Sequence, residues 1–252
     1  MVYHCHLQDY LKHFQLKNQH LNAQQSKFVD SEINELISDN VIEQCDDVVC
    51  ISPLGCVPKK DGHRLIVDLR EVNKFIDCPK LCYEDINTVK QVVQPGDHMI
   101  TCDIKSGYHH IAVARDFQKY LGVAWKGKTY VWKKLPFRLN ISAFYFVKVV
   151  RAVVAYVRSK GIRIISYVDD FCVCSKPDSI VADRDFFLNV LADLGFVINV
   201  KKSMLEPSTH VQFIGYVIST CNDDNLVWLH IPPNRIRKFK HDIGRALKKG
   251  CL

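Results

Sequence analysis

Four segments of the chain have apolar residues at the spacing of an amphipathic helix. Their approximate bounds are 26–37, 142–159, 179–194 and from 233 onward. Ser26 or Ser31 is the candidate N-cap of the first, and Gly161 ends the second. Pro232 and Pro233 open the last, where a proline is tolerated because the first helical N–H groups lack partners. Residues before position 26 are polar and weakly periodic, so we expect an irregular lead-in.

Short runs of β-branched and aromatic residues separate these helices, with turn residues between several of them. The runs occupy 48–58, 64–69, 99–104, 119–125, 129–134, 162–168, 171–175, 211–219 and 226–231. Asp61-Gly62 lies between the first two runs, and Asp-Gly between β-rich segments is a strong hairpin signal. Helices that alternate with strands paired as hairpins predict an α+β fold with an antiparallel sheet, rather than a parallel doubly wound fold.

Two adjacent carboxylates lie between two of these runs, in the tetrapeptide Tyr167-Val168-Asp169-Asp170. Taken alone, they indicate a turn, because Asp side chains hydrogen-bond to nearby backbone. Asp103 ends another apolar run, and if both strands lie in one sheet, three carboxylates converge at one edge. Like charges gathered there would need a cation. Carboxylate oxygens are preferred ligands of Mg²⁺, and a pair of such ions suits phosphoryl transfer.

Six sequence blocks occur in order between about Ser52 and Phe239. They read SPLGCVPKKDGHRLIVDLREVN, CDIKSGYHHI, KLPFRL, YVDD, LGFVINVKKS and FIGYVI. With these blocks the chain resembles the reverse transcriptases of retroelements, in particular those of LTR and DIRS-like retrotransposons. One block alone would be weak evidence for the resemblance, whereas six blocks in this order are highly specific evidence. The resemblance implies an RNA-directed DNA polymerase, a nucleotidyltransferase that extends a primer by two-metal catalysis.

The resemblance also implies a fold: the fingers and palm of a right-hand polymerase, with an antiparallel palm sheet backed by helices and a truncated thumb. The implied divisions are an irregular lead-in at 1–25, fingers at 26–97 and 116–139, palm at 98–115, palm with primer grip at 140–231, and the start of the thumb at 232–252. No block resembles an RNase H, protease, integrase or recombinase. We therefore expect a fragment of a longer polyprotein or a truncated element.

The resemblance assigns metal ligands and a general acid. Asp103 and Asp169 match the aspartates that hold both metals, and Asp170 completes the triad. Ile104 would add its backbone carbonyl. The expected cofactor is a pair of Mg²⁺ ions, for which Mn²⁺ can substitute. Lys202 matches a family lysine that protonates the pyrophosphate leaving group, although an exposed lysine after a strand is the alternative.

Further positions match the family's nucleotide-binding residues. Lys60 (or Lys59, since the register is ambiguous) and Arg64 match the fingers cations that grip the triphosphate. A solvated basic turn is the alternative for these cations. Tyr108 matches the aromatic gate that would clash with a 2′-hydroxyl, although simple packing on the palm is its alternative. Phe137 matches the residue beside the nucleotide pocket.

Two residues depart from the family pattern within one motif. Arg138 stands where the family usually has a glycine, and Ala143 stands where a proline is usual. Glycine permits a positive φ or a close approach of the backbone to a ligand. An arginine there would obstruct the template or nucleotide, or would add a phosphate contact. We expect a decayed copy with reduced activity, which reversion of Arg138 to glycine would raise.

Positive charge is concentrated near the C-terminal end, although the whole chain carries only +7. Between 235 and 252 there are seven basic residues and one acidic residue, and the remaining residues are nearly balanced. The basic residues are Arg235, Arg237, Lys238, Lys240, Arg245, Lys248 and Lys249. We expect them to bind the backbone of an RNA or DNA template with its primer.

The residues that match the family's primer grip, a tight hairpin that positions the primer terminus, are Phe213, Ile214, Gly215 and Tyr216.

The other expected partners are a dNTP and the rest of a retroelement polyprotein. We expect no association with a membrane. The longest apolar region, 141–157, contains Lys148 and Arg151, which argues against a membrane span. Eleven cysteines without a visible secretory signal predict reduced thiols and an intracellular location, in cytoplasm or nucleus.

Three alternatives stay open. The first is a catalytically inactive, nucleic-acid-binding remnant of the same fold. The second is a viral-type RNA-dependent RNA polymerase, against which Tyr108 and the KLPFRL block argue. The third is a metal-binding structural module, for which the chain lacks paired Cys and His ligands at the usual spacing.

Overall fold

The computed structural model describes residues 13–59, 62–221 and 225–248, which form two compact units. The first unit comprises Met1–Leu81 and Ser106–Lys148, and the second comprises Cys82–Lys105 and Val149–Leu252. In chain order, the elements of the described residues are β1 (Phe14–Gln15), α1 (Ala23–Ser38), β2 (Ile42–Gln44), β3 (Cys50–Ser52), β4 (Leu54–Lys59), β5 (Gly62–Val67), α2 (Arg70–Asn73), α3 (Ile86–Val92), β6 (His98–Asp103), a 3₁₀ turn (Gly107–His110), α4 (Arg115–Gln118), β7 (Gly122–Trp125), β8 (Lys128–Trp132), α5 (Ser142–Ser159), β9 (Arg163–Tyr167), β10 (Asp170–Ser175), α6 (Ile180–Asp193), β11 (Met204–Ser208), β12 (His210–Phe213), β13 (Tyr216–Ser219), β14 (Trp228–His230) and α7 (Pro233–Lys248).

The first unit is built on a five-stranded sheet with the strand order β1-β3-β7-β8-β2. The pairs β1–β3 and β3–β7 are parallel, and the other two pairs are antiparallel. Strands β7 and β8 overlap the predicted runs 119–125 and 129–134 and pair as a hairpin, with Lys126 and Gly127 at its turn. A second predicted hairpin, β4–β5, pairs Lys59 with Gly62, whereas Lys60 and Asp61 lie outside the described residues.

Helix α1 begins earlier than predicted. Its N-cap is Asn22, whose side-chain oxygen accepts a 2.9 Å hydrogen bond from the Gln25 N–H. The Gln25 side-chain oxygen in turn accepts the Asn22 N–H at 2.9 Å. This capping box satisfies N–H groups that otherwise lack partners, so Ser26 and Ser31 lie inside the helix and the predicted N-caps were wrong. The predicted irregular lead-in, 1–25, therefore overlaps β1 and the first turn of α1.

The second unit is built on a four-stranded antiparallel sheet with the order β11-β6-β10-β9. Strands β12, β13 and β14 form a smaller antiparallel sheet. The two sheets share a core of buried residues, with Val89 and Val93 of the α3 region packed into it. Other members of this core are Met99, Ile165, Cys172, Cys174, Val211, Phe213 and Ile218. Helices α5, α6 and α7 occur where the apolar spacing predicts them, whereas β11 was not predicted.

The boundaries of the two units differ from the predicted divisions. Residues 82–97, predicted within the fingers, belong to the second unit, because α3 packs its apolar face into that unit's core. Residues 106–115, predicted within the palm, belong to the first unit. Backbone hydrogen bonds hold them there, from the Leu135 N–H to the Ile111 carbonyl and from the Val113 N–H to the Lys133 carbonyl. The names fingers and palm stay predictions for these segments.

The helices and the cysteines of the described residues bear on a membrane span and on disulfide formation. Across 13–59, 62–221 and 225–248, no helix combines the length and apolar character that a membrane span requires. The cysteines in the same ranges form no disulfide, and five of them are buried: Cys50, Cys56, Cys102, Cys172 and Cys174.

An ion pair fixes the end of the second unit's main sheet that lies away from the paired aspartates. Asp97, which is 2% exposed, precedes β6, and Arg163 begins β9. Both carboxylate oxygens accept hydrogen bonds from the Arg163 guanidinium, at 2.5 and 2.6 Å. The Gln94 N–H donates a further bond to Asp97 at 2.7 Å. Such a fully bonded carboxylate tolerates burial, whereas an unpaired one does not.

Replacement of Arg163 by methionine should therefore destabilise the chain, because it leaves Asp97 buried without its cation. We expect a loss of about 2–3 kcal/mol in the free energy of unfolding, somewhat below the value for a wholly buried pair since Arg163 is partly exposed. Denaturant titration measures the loss. Lys74→Met, which breaks the exposed Lys74–Glu71 pair, is the control and should cost less than about 1 kcal/mol. Equal losses for both variants would contradict this account.

Candidate active site

The tight turn between β9 and β10 consists of Val168 and Asp169, not of the two aspartates as predicted. Asp170 is the first residue of β10 and pairs with Tyr167. Val168 has φ +58°, a left-handed conformation that is unfavourable for a β-branched residue. The strained turn lets the chain reverse within two residues, so that Asp169 lies at the tip and Asp170 enters the sheet.

The register of the sheet places Asp170 opposite Asp103 on the neighbouring strand β6. Asp169 is linked to the same strand end, because its carbonyl accepts a 2.9 Å hydrogen bond from the Ile104 N–H. The Asp103 backbone is fixed on its other side: its N–H donates to the Ser203 hydroxyl at 3.0 Å. Its carbonyl accepts the Asn199 N–H at 2.8 Å. The structure thus places the backbones of all three aspartates that the sequence singled out at one end of the sheet.

Crowding of carboxylates changes their acidity. Burial raises the pKa of Asp170 to about 6, with repulsion by Asp169 and Asp103 acting in the same direction. The pKa of Asp169 is also raised, chiefly by burial and further by the charge of Asp103. The ammonium of Lys202 lowers both values. The site therefore holds negative charge that a cation would stabilise.

The donor set fits a hard divalent cation. The Oδ1 atom of Asp103 is buried and has no hydrogen-bond partner among the described residues. Within those same ranges, no three His, Cys, Asp or Glu side chains are gathered into a ready-made metal centre. Mg²⁺ commonly takes one or two carboxylates and completes its shell with water and phosphate oxygens. Carboxylates that hold a metal only together with substrate would have this arrangement.

Lys202 lies beside Asp103, and its general-acid role stays a prediction. Its ammonium nitrogen is 3.6 Å from the Oδ2 atom of Asp103. The Lys202 side chain is 68% exposed, whereas that of Asp103 is only 11% exposed. A mobile cation at the rim of a carboxylate cluster can neutralise charge and can also donate a proton to an anion bound there.

A cavity of about 670 Å³ joins these groups to the predicted primer grip. Its lining includes Asp103, Asp170, Lys202 and the segment 213–216. Ile214 and Gly215 form the turn between β12 and β13, with φ values of +41° and +82°. The lining residues that sequence reasoning did not assign to this site are Asp85, Ile86, Thr101, Cys102, Tyr167, Gln212 and Arg235.

The predicted nucleotide residues Tyr108 and Phe137 lie together in the first unit. Their ring centroids are 5.1 Å apart, and Phe137 remains 47% exposed. Tyr108 also packs edge-on against Phe146 at 5.5 Å. His109, which the sequence did not single out, contacts the Phe137 ring at 5.2 Å. Burial lowers the pKa of His109 to about 4, so it supports Phe137 as a neutral ring.

The predicted fingers cations occupy the β4–β5 hairpin. Lys59 ends β4 and Arg64 lies in β5 opposite Val57, and both side chains are exposed. Lys60 lies outside the described residues, so the choice between Lys59 and Lys60 stays open. Exposure suits cations that bind a ligand, but it is equally typical of a solvated turn.

Arg138 occupies a backbone conformation that favours glycine, with φ +72°. The side chain of Asn73 holds this segment in place. Its Nδ2 donates to the Arg138 carbonyl at 2.9 Å, and its Oδ1 accepts the Asn140 N–H at 3.0 Å. The departure from the family pattern therefore places a charged side chain on a turn whose backbone conformation favours glycine.

Comparison with known proteins gives related sequences and folds. A family model described as "Reverse transcriptase (RNA-dependent DNA polymerase)" matches residues 57–218. The Pro-Pol polyprotein of simian foamy virus type 1 is 27% identical over 191 residues, 74% of this chain. The transposon Tf2-7 polyprotein of Schizosaccharomyces pombe is 25% identical over 235 residues, 89% of this chain. A solved foamy viral protease-reverse transcriptase in complex with an RNA/DNA hybrid matches with a TM-score of 0.79 at 21% identity.

The matched relatives are much longer than this chain. The chain spans 16% of the simian foamy virus polyprotein and 17% of the Tf2-7 polyprotein. The structural match includes 91% of this chain and 30% of the solved foamy viral chain. The structural match confirms an α+β fold of the polymerase fingers-palm type.

The raised pKa of Asp170 predicts a pH dependence of stability. Because the folded chain holds a proton on this group more readily than the unfolded chain, stability should fall as pH rises from about 4 to about 6. Asp170→Asn removes this penalty. At pH 7 without divalent cations, the variant should be about 1–2 kcal/mol more stable than the wild-type chain, allowing for solvent screening, and equal near pH 4.

Denaturant titrations between pH 4 and pH 8 measure this difference. Lys202→Met serves as the companion variant, since removal of its ammonium should raise the pKa of Asp170 further and move the pH window upward. A difference between wild type and Asp170→Asn that does not change with pH would contradict the assignment.

The conformation of Arg138 predicts that Arg138→Gly stabilises the chain by about 1 kcal/mol, because a left-handed conformation is costly for other residues. Arg138→Ala is the matched control: it removes the same side chain but keeps the backbone strain. Thermal unfolding of both variants measures the effect. If glycine and alanine shift the melting temperature equally, backbone strain at this position is not the cause.

Proposed function

Because the chain belongs to the reverse transcriptase family, we propose that it is the RNA-directed DNA polymerase of a retroelement, acting by template-directed nucleotidyl transfer. One observation carries the proposal most directly. Asp103 and Asp170 lie opposite each other at the end of an antiparallel sheet and share a cavity with the turn at Ile214-Gly215. Metal-holding groups and a segment suited to a primer terminus thus line one space.

The reaction proposed is attack of a primer 3′-hydroxyl on the α-phosphorus of a dNTP, which forms a phosphodiester bond and releases pyrophosphate. Asp103, Asp169 and Asp170, with the Ile104 carbonyl, would hold two Mg²⁺ or Mn²⁺ ions. When bound, these ions activate the hydroxyl and neutralise developing charge. Reverse transcriptases generally use divalent metals.

The chain's own groups perform the remaining steps. With its pKa raised to about 6, Asp170 is mostly ionised at neutral pH, where it would be available to hold a cation. Lys202, 3.6 Å from Asp103, would protonate the departing pyrophosphate. The turn of β12 and β13 would align the primer terminus over the aspartates, which fixes the reacting atoms before chemistry begins.

The proposed substrates are a template–primer and a dNTP. The solved relatives hold an RNA/DNA hybrid or double-stranded DNA, which supports a nucleic-acid partner for this fold. In this chain, helix α7 supplies the exposed basic residues Arg235, Arg237, Lys238, Lys240 and Arg245. Binding through such residues is tolerant of sequence and weakens with salt.

We propose that the aromatic residues around Tyr108 in the first unit select the incoming nucleotide. The Tyr108 ring, held between Phe137 and Phe146, would exclude a 2′-hydroxyl and favour deoxynucleotides. Arg64 and either Lys59 or Lys60 would bind the triphosphate from the β4–β5 hairpin. Since the relatives are polyproteins, the rest of such a polyprotein is a further proposed partner.

The state of the cysteines supports the proposal that the protein is located in an intracellular, reducing compartment. Within the described ranges no cysteine pair is bridged, and the adjacent sulfur atoms of Cys172 and Cys174 lie 3.7 Å apart as thiols in the core. A reducing compartment maintains thiols in that state.

A second candidate function is an inactive remnant that binds nucleic acid without extending it. The observation that favours it is Arg138, whose charged side chain occupies the turn next to Phe137. An arginine there, with Ala143 following, would weaken placement of the template or nucleotide while the basic helix α7 still binds the duplex.

Primer extension distinguishes the two candidates. The wild-type chain, given template–primer, dNTPs and Mg²⁺, should extend the primer, and Asp169→Asn should reduce the rate by about a thousandfold or more, because the lost carboxylate stabilises the transition state. Asp178→Asn, an exposed change on a connecting segment, is the control and should leave the rate unchanged. Binding of template–primer without extension by the wild-type chain would establish the remnant instead.

A further inference from the structure

Arg235 in helix α7 makes a specific contact with the turn of the β12–β13 hairpin. Its Nη1 donates a 2.7 Å hydrogen bond to the Gly215 carbonyl, across 20 positions of the chain. Ile214 and Gly215 both have positive φ, as in the primed turns that suit two-residue hairpins. The guanidinium therefore binds a carbonyl at the turn of the segment proposed to hold the primer terminus.

The glycine at this turn is matched to the arginine. A methyl group added to Gly215 would overlap the Arg235 guanidinium, so the close approach of the two residues depends on the missing side chain. The positive φ of Gly215 is a second reason for glycine. Glycine at this position therefore leaves room for the Arg235 guanidinium beside the turn.

Arg235 also lines the cavity that contains Asp103, Asp170 and Lys202. Its guanidinium has five N–H donors, and the described residues assign one of them, the bond to Gly215. The remaining donors form a planar fork that suits two oxygens of a phosphate. Since carboxylates line the same cavity, a nucleic-acid phosphate entering it needs such a cation nearby.

We propose that Arg235 is a positioning residue for the primer strand. It holds the Ile214–Gly215 turn through the Gly215 carbonyl and binds a phosphate of the primer backbone with its other donors. In this way it couples the placement of the primer to the turn beside the aspartates. The proposal rests on the proposed polymerase function and adds a role that the other basic residues of α7 do not share.

The test compares Arg235→Met with Arg237→Met, which removes the same charge from the same helix. Two quantities are measured for the full chain: the dissociation constant for template–primer, and the rate of a single dNTP addition when template–primer is saturating. Arg237→Met should mainly weaken binding, because among the described residues it is Arg235, and not Arg237, that has a hydrogen bond to the Ile214–Gly215 turn. Arg235→Met should also lower the saturated rate about ten- to a hundredfold, because the primer terminus is misplaced. Arg235→Lys should restore binding but not the rate, since an ammonium lacks the planar fork whose separate nitrogens reach the carbonyl and the phosphate in fixed directions.

Gly215→Asn approaches the same contact from the other side. Asparagine tolerates a positive φ, yet its side chain would displace the guanidinium while the charge of Arg235 remains. It should reproduce the rate loss of Arg235→Met, and thermal unfolding of each variant verifies that the fold persists. Equal saturated rates for Arg235→Met and Arg237→Met, with an undiminished rate for Gly215→Asn, would overturn the proposal.

The outcome remains informative if the wild-type chain does not extend primers, a result that would reject the proposed function rather than this contact. Binding then decides. Arg235→Met should reduce the slope of log affinity against log salt by about one, the value for one lost phosphate contact. An unchanged slope would overturn the inference.

Discussion

The register of β6 against β10 places the carboxylates of Asp103 and Asp170 opposite each other on neighbouring strands, with Asp169 at the adjoining turn. Like charges in such a position repel, and the pKa of Asp170 is raised to about 6 by burial and by this repulsion. The arrangement persists because the strands below it are buried and apolar, from Ile100 and Met99 to Val173. At the far end of the sheet, the Asp97–Arg163 pair provides the opposite case, a buried carboxylate with its cation in place.

The negative charge of these aspartates, which the fold does not neutralise, can bind a cationic ligand. The orphaned Oδ1 of Asp103 and the carboxylates beside it suit a divalent cation that completes its shell with phosphate oxygens. Two protein cations, Lys202 and Arg235, border the same cavity. In the account proposed here, one serves the leaving group and the other the primer. We therefore propose that the charge of the site is balanced only when metal, nucleotide and nucleic acid are bound together.

Much of the fold follows from local pattern. Helix α5 occupies the predicted 142–159 because apolar spacing and a following glycine coincide, and Asp-Gly correctly predicts the β4–β5 hairpin. The errors have identifiable causes. Turn propensity favoured Asp169-Asp170, but the turn uses Val168 in a strained conformation that no local preference predicts. Asn22 escaped notice as an N-cap because polar residues surround it, and the Arg235–Gly215 contact depends on tertiary packing.

We propose that Asp103 and Asp169 hold metal beside a primer placed at the Ile214–Gly215 turn. The most direct measurement is a crystal structure of the chain with Mn²⁺, an incoming dNTP and a template–primer whose primer ends in a dideoxynucleotide, with the metal located by its anomalous scattering. We expect manganese peaks within bonding distance of both carboxylates and the primer terminus against that turn. Manganese bound elsewhere, with the three aspartates holding none, would contradict it.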